Sequence, residues 1–238
     1  MAKKLFKTEL HCHSKEVSTC ADEGADVIVP KYLKYGYSTL VITNHLSLNC
    51  HSTDLFAGKS WEEKAEHFIE GYRAFKRAAD GTGLNIIFGA EIRFPQYFND
   101  YLLFGLTEEY LLSHENIYCT DVATFHEQCK RDGLLLIQAH PFRQDLHIIS
   151  RSAVDGYEVY NGHPSQEGAN RAAFEYGKSV PGAILTSGTD HHGTDHYPTG
   201  GIMTGHEIKT NEDLLSTLRS GNYFLIADED VRSGKKRL

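Results

Sequence analysis

The stretch LFKTELHCHS, residues 5–14, joins a short apolar run to two histidines, His11 and His13, that flank a cysteine. Residues i and i+2 of an extended chain point to the same side. The two imidazoles can therefore bind one cation together. This stretch predicts a β-strand over residues 5–10 with a metal-binding pair at its end.

Further apolar runs of strand length follow, each bounded by polar residues or glycine as buried strands are. They cover residues 39–43, 85–92, 101–106, 134–139, 156–160 and 183–187. Helical patterns lie between or after them, at residues 26–36, 60–80, 107–113, 121–132, 165–178 and 211–219. Strands that alternate with helices pair in parallel. The sequence therefore predicts the α/β class and a closed or nearly closed β/α barrel.

Length and composition favour one domain over residues 1–238, with a charged tail at 228–238 that we expect to be frayed. The net charge, 24 basic against 32 acidic residues, is −8, which makes a nucleic acid or an anionic membrane an unlikely partner. The five cysteines include no CxxC pair, and no apolar run reaches the length of a membrane span. We therefore expect a cytoplasmic protein.

Barrel enzymes carry their chemistry at the carboxyl ends of their strands. Ligand-capable side chains follow every predicted strand except the one over residues 101–106, which ends near Thr107. These side chains are His11, His13, His45, Glu91, His140, Asn161, His163, Asp190 and His192. A carboxylate such as Glu91 can bridge two metals, and a mixed nitrogen and oxygen set suits zinc, manganese or iron. The pattern predicts a multinuclear metal centre.

The motifs ELHCHS, ITNH, GAEI, AHP and SGTDHH occur in that order over residues 9–192, and as a set they resemble the polymerase and histidinol phosphatase (PHP) domain phosphoesterases. The resemblance implies a distorted (β/α)7 TIM-like barrel with two or three divalent metal ions. It also implies a ligand set for each metal. His11, His13, Glu91 and Asp190 would hold one metal, Glu91 and His140 would help hold a second, and His45 and His192 would help hold a third.

The sequence departs from the family pattern at two places, directly before His45 and after the fourth predicted strand. Asn44 precedes His45 where the family usually has aspartate, so a carboxylate that would orient the histidine is missing. The family often places a histidine after the fourth strand, where this chain has Thr107 and, further along, His114.

A third departure concerns the further ligand that the family supplies to the third metal after the HxH pair. The segment SKEVSTCADEG offers Glu16, Asp22 and Glu23 as acidic candidates. We favour Glu16, because it is nearest to the predicted rim.

Divalent ions held mainly by neutral histidines leave a positive centre that attracts phosphate. The sequence therefore predicts a metal-dependent phosphoesterase, in which a metal-activated hydroxide hydrolyses a small phosphomonoester. The catalytic candidates are Asp190, His192 and Arg143. The substrate-binding candidates are Arg93, Arg143, Asn161 and His163, because arginine offers bidentate contacts to phosphate and the other two lie at the rim.

Two alternatives stay open. An amidohydrolase-type metal hydrolase is also a barrel with an HxH pair and cleaves C–N bonds, but it does not require His45 and Glu91. A non-catalytic, regulatory metal-binding domain would account for the departures at Asn44 and Thr107. The identity of the phosphorylated substrate is not encoded in the metal motifs.

Overall fold

The computed structural model describes residues 4–48, 56–166 and 168–227. Within them, ten strands form one curved sheet and α-helices pack against it. The strands are β1 (Phe6–Glu9), β2 (Tyr37–Ile42), β3 (His45–Ser47), β4 (Asn85–Arg93), β5 (Asp100–Phe104), β6 (Leu135–Gln138), β7 (Gly156–Asn161), β8 (Ile184–Gly188), β9 (Ile202–Thr204) and β10 (Phe224–Leu225). The helices are α1 (Ala25–Lys34), α2 (Trp61–Ala79), α3 (Glu108–Ser113), α4 (Val122–Asp132), α5 (Asn170–Ser179) and α6 (Asn211–Ser220).

The strand order is β10-β9-β1-β2-β4-β5-β6-β7-β8, and β3 pairs with β4. Backbone hydrogen bonds join the segment after β8 to the segment after β1. The Asp190 N–H donates to the His11 carbonyl at 2.8 Å, and the His13 N–H donates to the His191 carbonyl at 3.0 Å. The sheet is thus a nearly closed barrel, and the predicted fold class is confirmed.

Strand β5 differs from the prediction that neighbouring strands pair in parallel, because it runs antiparallel to both β4 and β6. Residues 94–99 alone connect β4 to β5, whereas a parallel crossover needs about a dozen residues or more. The end of β5, near Thr107, therefore lies at the opposite end of the barrel from the carboxyl ends of the parallel strands. The start of β5, at Asp100, lies at the rim instead.

Helix α2 shows how local sequence positions an outer layer of the barrel. Its predicted N-cap, Ser60, forms a capping box: the Ser60 hydroxyl accepts the Glu63 N–H at 3.2 Å and the Glu63 carboxylate accepts the Ser60 N–H at 2.8 Å. The apolar face of the helix buries Phe68, whose ring centroid lies 5.8 Å from that of Phe88 in β4. Burial of one such side chain stabilises the fold by about 1.5–3 kcal/mol.

The last two strands extend the sheet beyond β1, because β9 pairs with β1 and β10 pairs with β9. The helix expected over 165–178 begins only at Asn170, after a 3₁₀ turn at Pro164–Gln166. None of the helices in the described residues has both the length and the apolar character that a membrane crossing requires. The tail at 228–238 lies outside the described residues, and a cytoplasmic location stays a prediction.

Candidate metal centre

Seven predicted ligands meet at one end of the barrel, although up to 181 positions separate them in the chain. Each follows, begins or ends a strand, so the pairing of the strands brings the side chains to one rim. They are His11 and His13 after β1, His45 at the start of β3, Glu91 near the end of β4, His140 after β6, and Asp190 and His192 after β8. All are buried except His45 and His192, which are partly exposed.

Glu91 lies at the centre of the cluster, with four imidazole rings around one carboxylate. Its Oε1 is 3.3 Å from His11 Nε2 and 3.1 Å from His140 Nε2. Its Oε2 is 2.7 Å from His45 Nδ1 and 3.4 Å from His13 Nε2. The Glu91 side chain is only 1% exposed, so bulk solvent compensates little of the cost of burying its charge. Its oxygens therefore depend on imidazole partners or on a cation between them.

Asp190 faces three imidazole rings through a single oxygen, and two of them, His11 and His13, also contact Glu91. Its Oδ1 lies 3.3 Å from His11 Nε2, 3.2 Å from His13 Nε2 and 3.3 Å from His192 Nδ1. The Nε2 atoms of His11 and His13 are themselves only 3.0 Å apart. Ring nitrogens and carboxylate oxygens that converge in this way form the kind of donor set that binds divalent transition metals.

The charges within the cluster keep its carboxylates ionised. Burial disfavours the charged form of Glu91, but His11 and His45 hold the pKa of Glu91 well below its usual range. Burial likewise opposes ionisation of Asp190, and His11 together with His13 holds the pKa of Asp190 well below its usual range. The opposite holds for His13, since burial and the neighbouring His45 push its pKa well below the usual value. The cluster thus combines anionic oxygens with at least one neutral imidazole.

Two of the clustered residues have backbone conformations that non-glycine residues rarely adopt. His140 has a φ of 27° and Asp190 a φ of 53°. Such conformations persist where the surrounding structure holds them, and they concentrate at functional sites. Close packing contributes here, because a Cβ on Gly188 would lie 2.3 Å from the Cβ of His11.

Glu158 in β7, which the sequence analysis did not single out, supports the cluster from behind. It is buried and accepts three hydrogen bonds, from His11 Nδ1, from the His140 N–H and from Asn161 Nδ2, each at 2.9 Å. The bond to Nδ1 leaves Nε2 of His11 pointing at Glu91 and Asp190. A carboxylate in this position orients a metal-binding histidine and raises its basicity.

Glu9 is a second carboxylate that the sequence analysis did not single out. Its Oε1 accepts the backbone N–H groups of Leu10, His11 and Thr189 at 2.8–3.0 Å. Its Oε2 accepts the hydroxyl groups of Tyr32 and Thr189. Glu9 therefore fastens the end of β1 to the segment after β8, which carries Asp190.

Asn161, a predicted substrate contact, is buried behind the cluster, and its contact with substrate stays a prediction. Asn161 is 2% exposed, and its Nδ2 donates to Glu158 and, at 3.1 Å, to Asp190 Oδ2. Its Oδ1 accepts the His163 N–H at 2.9 Å. Its amide is therefore committed to neighbouring residues and positions Asp190 instead of facing the cavity.

Glu16, the favoured ligand for a third metal, lies next to the beginning of α1, and its role as a ligand stays a prediction. Its Oε1 accepts the Ala25 N–H at 2.8 Å, at the beginning of α1. None of the ligand clusters found among the described residues includes Glu16. Glu23, another candidate, is paired with Lys31 and, at 2.9 Å, with His191 Nε2.

Asp100 is a ligand-capable residue at the rim in β5, the strand after which the sequence predicted no ligand. As the first residue of the antiparallel β5 it reaches the rim, where its Oδ2 lies 3.9 Å from His140 Nε2 and it forms a cluster with His140 and Glu91. It also binds Arg93 through two bonds, of 2.6 Å to Nε and 2.7 Å to Nη2. Asp100 thus takes one pair of Arg93 donors, and Arg93 also lines the cavity described below, so its contact with phosphate stays a prediction.

The two candidates for a ligand after the fourth strand lie away from the cluster. Thr107 caps α3 by accepting the Tyr110 N–H at 3.0 Å. The ring of His114 stacks on Tyr110, with the centroids 3.9 Å apart. Sequence alone could have located Asp100 if the short β4–β5 connection had been taken as a sign of antiparallel pairing.

A cavity of about 450 Å³ opens above the cluster. Glu91, His140 and Asp190 contribute to its floor, and Arg143 and His163, two of the predicted substrate contacts, line it as well. Arg143 is exposed, so its guanidinium is accessible from solvent. The volume is in the range of small-molecule sites.

Comparison with protein families places this arrangement in a known context. The family model described as the PHP domain matches residues 9–199. A comparison with curated proteins finds no match.

Several solved structures share the fold. A two-domain protein from Bacteroides vulgatus that contains a predicted PHP-like metal-dependent phosphoesterase has a TM-score of 0.69 at 14% identity, over 95% of this chain and 66% of that one. PsfC from Pseudomonas syringae has a TM-score of 0.66 at 14% identity, over 97% and 94% of the two chains. The lesion-specific endonuclease PfuEndoQ from Pyrococcus furiosus has a TM-score of 0.61 at 15% identity, over 93% of this chain and 58% of that one.

Proposed function

Because this chain belongs to the PHP domain family, we propose that it is a metal-dependent phosphoesterase that hydrolyses a small phosphomonoester. One observation carries the proposal: the buried Glu91 carboxylate is surrounded by four imidazoles. Burial of an anion is costly unless its partners compensate it, and a carboxylate among imidazole nitrogens is the kind of donor set that binds divalent ions.

The donor set fits a group of two or three divalent ions. His11, His13, Glu91 and Asp190 would hold one ion, Glu91, Asp100 and His140 a second, and His45 and His192 would help hold a third. Such ions supply Lewis acidity, since they lower the pKa of water and offset the charge of a phosphoryl group. Mixed nitrogen and oxygen donors suit zinc, manganese or iron.

The residues around the cavity would bind and orient the substrate. We assign the phosphate contact to Arg143, because it is exposed, lines the cavity and carries a planar guanidinium that matches phosphate oxygens. We assign contact with the leaving group to His163, whose ring is fixed by Ser165 Oγ, 2.7 Å from its Nδ1. Asp190 and His192 would hold the catalytic ions next to the phosphoryl group of the substrate.

Nucleic acid is a second candidate substrate class. The net charge of −8 made it an unlikely partner, but the structural similarity to a lesion-specific endonuclease does not support that exclusion. The local charge at the rim matters more than the total, since bound divalent ions would attract any phosphate ester. We favour a small substrate because the cavity volume of about 450 Å³ fits one.

The test is a hydrolysis panel with added zinc, manganese or ferrous ions. We expect phosphate release from small phosphomonoesters in the wild-type protein and loss of release in Glu91→Gln. Amide and ester substrates and duplex DNA with lesions are assayed in parallel. Cleavage of amides or of DNA without phosphomonoester turnover would contradict the proposed substrate class, and metal-loaded protein that cleaves none of the substrates would contradict the proposed function.

A further inference from the structure

The connection between β4 and β5, residues 94–99, exposes two adjacent aromatic side chains. Phe98 is 73% exposed, more than any other large apolar side chain in the described residues, and Tyr97 is 42% exposed. The connection lies at the rim of the barrel, because Glu91 near the end of β4 and Asp100 at the start of β5 belong to the same cluster. The exposed rings therefore lie beside the candidate metal centre.

A second cavity, of about 290 Å³, lies next to these rings. Ser47 at the end of β3 pairs with Arg93 in β4, which places the exposed Leu48 next to the beginning of the connection. Exposed apolar side chains that gather around a cavity mark a binding site, whereas scattered ones do not. The apolar residues that line this cavity are Leu48, Phe94, Pro95, Tyr97 and Phe98.

The second cavity adjoins the cavity above the metal cluster, because Arg93 lines both. Glu91 precedes Arg93 by two positions in β4, and two positions span about 7 Å along a strand. A phosphate ester bound above Glu91 can therefore extend the group on its ester oxygen into the second cavity. The second cavity is thus placed to hold part of the same substrate.

The connection is anchored on its inner side by packing and by a hydrogen bond. Phe94 packs against Tyr101 and Phe125, with ring centroids 5.4 Å and 5.2 Å away. The side-chain carbonyl of Gln96 accepts the Val122 N–H at the beginning of α4, at 3.2 Å. The backbone that carries the exposed rings therefore has a defined position.

The residues on both sides of Phe98 are held as well. The Tyr97 ring meets the His147 ring edge to face, with the centroids 4.8 Å apart, and the Asn99 side-chain oxygen accepts the His147 N–H at 3.1 Å. A surface that is ordered before binding loses little conformational freedom when a ligand packs on it. Phe98 is thus presented to solvent from a preorganised segment.

We propose that this second cavity binds an uncharged aromatic ring in the leaving group of the substrate; this inference rests on the proposed phosphomonoesterase function. Tyr97 and Phe98 offer the stacked and edge-to-face contacts that aromatic rings prefer. Among the described residues that line the cavity, Arg93 alone carries a charge, and two hydrogen bonds join it to Asp100. The lining therefore favours a neutral ring over a charged group.

The test measures binding and turnover separately in the metal-loaded full chain. Benzylphosphonate and ethylphosphonate have no ester bond to hydrolyse, so calorimetric titration gives their affinities without turnover. Benzyl phosphate and ethyl phosphate both release a primary alcohol, so a difference in kcat/KM between them reports recognition of the ring. We expect the wild type to bind benzylphosphonate at least about fivefold more tightly than ethylphosphonate, and to prefer benzyl phosphate as a substrate.

Substitutions of Phe98 connect this preference to the cavity. Phe98→Ala should bind benzylphosphonate about three- to tenfold less tightly, with unchanged affinity for ethylphosphonate and unchanged metal content. Phe98→Tyr keeps a ring at this position and should keep the preference. The matched control is Phe224→Ala, at another strongly exposed phenylalanine that lines neither cavity, and it should behave as the wild type.

Three results separate the inference from its alternatives. Equal wild-type affinities for the two phosphonates, or an equal loss of both in Phe98→Ala, would overturn it. A wild-type dimer that Phe98→Ala converts to a monomer, with no preference for the benzyl ligand, would show that the rings bind a second copy of the chain and would also overturn it. A protein that prefers benzylphosphonate but releases phosphate from neither ester would contradict the proposed function and support the aromatic site.

Discussion

Two sets of buried carboxylates lie within the same end of the barrel, and they differ in their partners. Glu9 and Glu158 accept hydrogen bonds from backbone N–H groups, hydroxyls and an amide, in addition to the ring of His11. Glu91 contacts imidazole nitrogens on both oxygens, and Asp190 does so on Oδ1. The comparison teaches that burial alone does not mark a metal site. The kind of partner decides whether a carboxylate holds the scaffold together or is poised to bind a cation.

The largest expected effect is that of Glu91→Gln. This change removes the charge shared by the proposed ions, so we expect metal content to fall and phosphate release to drop by more than about 100-fold, beyond the range typical of groups that only orient a ligand. Metal analysis and turnover measure both effects. The matched control is Glu62→Gln in the exposed first turn of α2, which should leave both unchanged. If Glu91→Gln kept its full metal content, Glu91 would not bind metal and would not differ in function from Glu9 and Glu158.

An intermediate effect is expected for Glu158→Gln. The amide still fills the space but no longer offers two anionic oxygens to His11, His140 and Asn161, so we expect metal affinity to fall by about 10–100-fold. Competition with a chelator measures the affinity. If the affinity matched that of Glu91→Gln, Glu158 would act as a ligand and not as a support.

Glu9→Gln should mainly affect stability. The substitution replaces a carboxylate oxygen with an amide NH₂, which leaves buried N–H or hydroxyl donors without an acceptor at about 1–3 kcal/mol. We expect the free energy of unfolding of the metal-free protein, measured with urea, to fall by that amount. Metal stoichiometry at saturation should stay at the wild-type value. If Glu9→Gln bound fewer metal ions but kept the wild-type free energy of unfolding, Glu9 would act in metal binding and not in stability.

The smallest effect concerns Asp155, which belongs to neither set. Burial opposes its ionisation, but His126, 3.2 Å away, and the Leu136 N–H hold the pKa of Asp155 below its usual range. Since the folded-state pKa is lower than the unfolded value of about 3.9, the stabilisation is present above that pH and is lost as the pH falls through the folded-state pKa.

Urea titrations of wild type and Asp155→Asn at several pH values test this dependence. At neutral pH we expect the wild type to be more stable by about 1 kcal/mol, and the difference should shrink below pH of about 4. A difference that grows as the pH falls would contradict the assigned sign.

Several parts of the site follow from the sequence because their pattern is local. The i and i+2 spacing of His11 and His13 predicts a shared direction, and the structure places both next to Glu91. Their role as ligands stays a prediction. The alternation of strands and helices was likewise enough to predict the barrel.

Other parts depend on pairing over long distances, which local patterns do not reveal. Glu158 reaches His11 across 147 positions because β8 and the ends of β1 and β7 lie together. Asp100 reaches the rim because β5 is antiparallel. Glu16 appeared closest to the rim along the chain, but α1 takes its oxygen as a hydrogen-bond acceptor. Distance along the sequence did not reveal these partners.

The central claim is that the rim side chains enclose a cluster of divalent cations. The most direct test is the number of metal ions per chain in purified protein, after saturation with zinc or manganese and removal of unbound ions, in wild type and in Glu91→Gln. We predict at least two ions per chain in the wild type and a clear loss in the variant. Fewer than one ion per wild-type chain, or equal numbers in the two proteins, would contradict the claim.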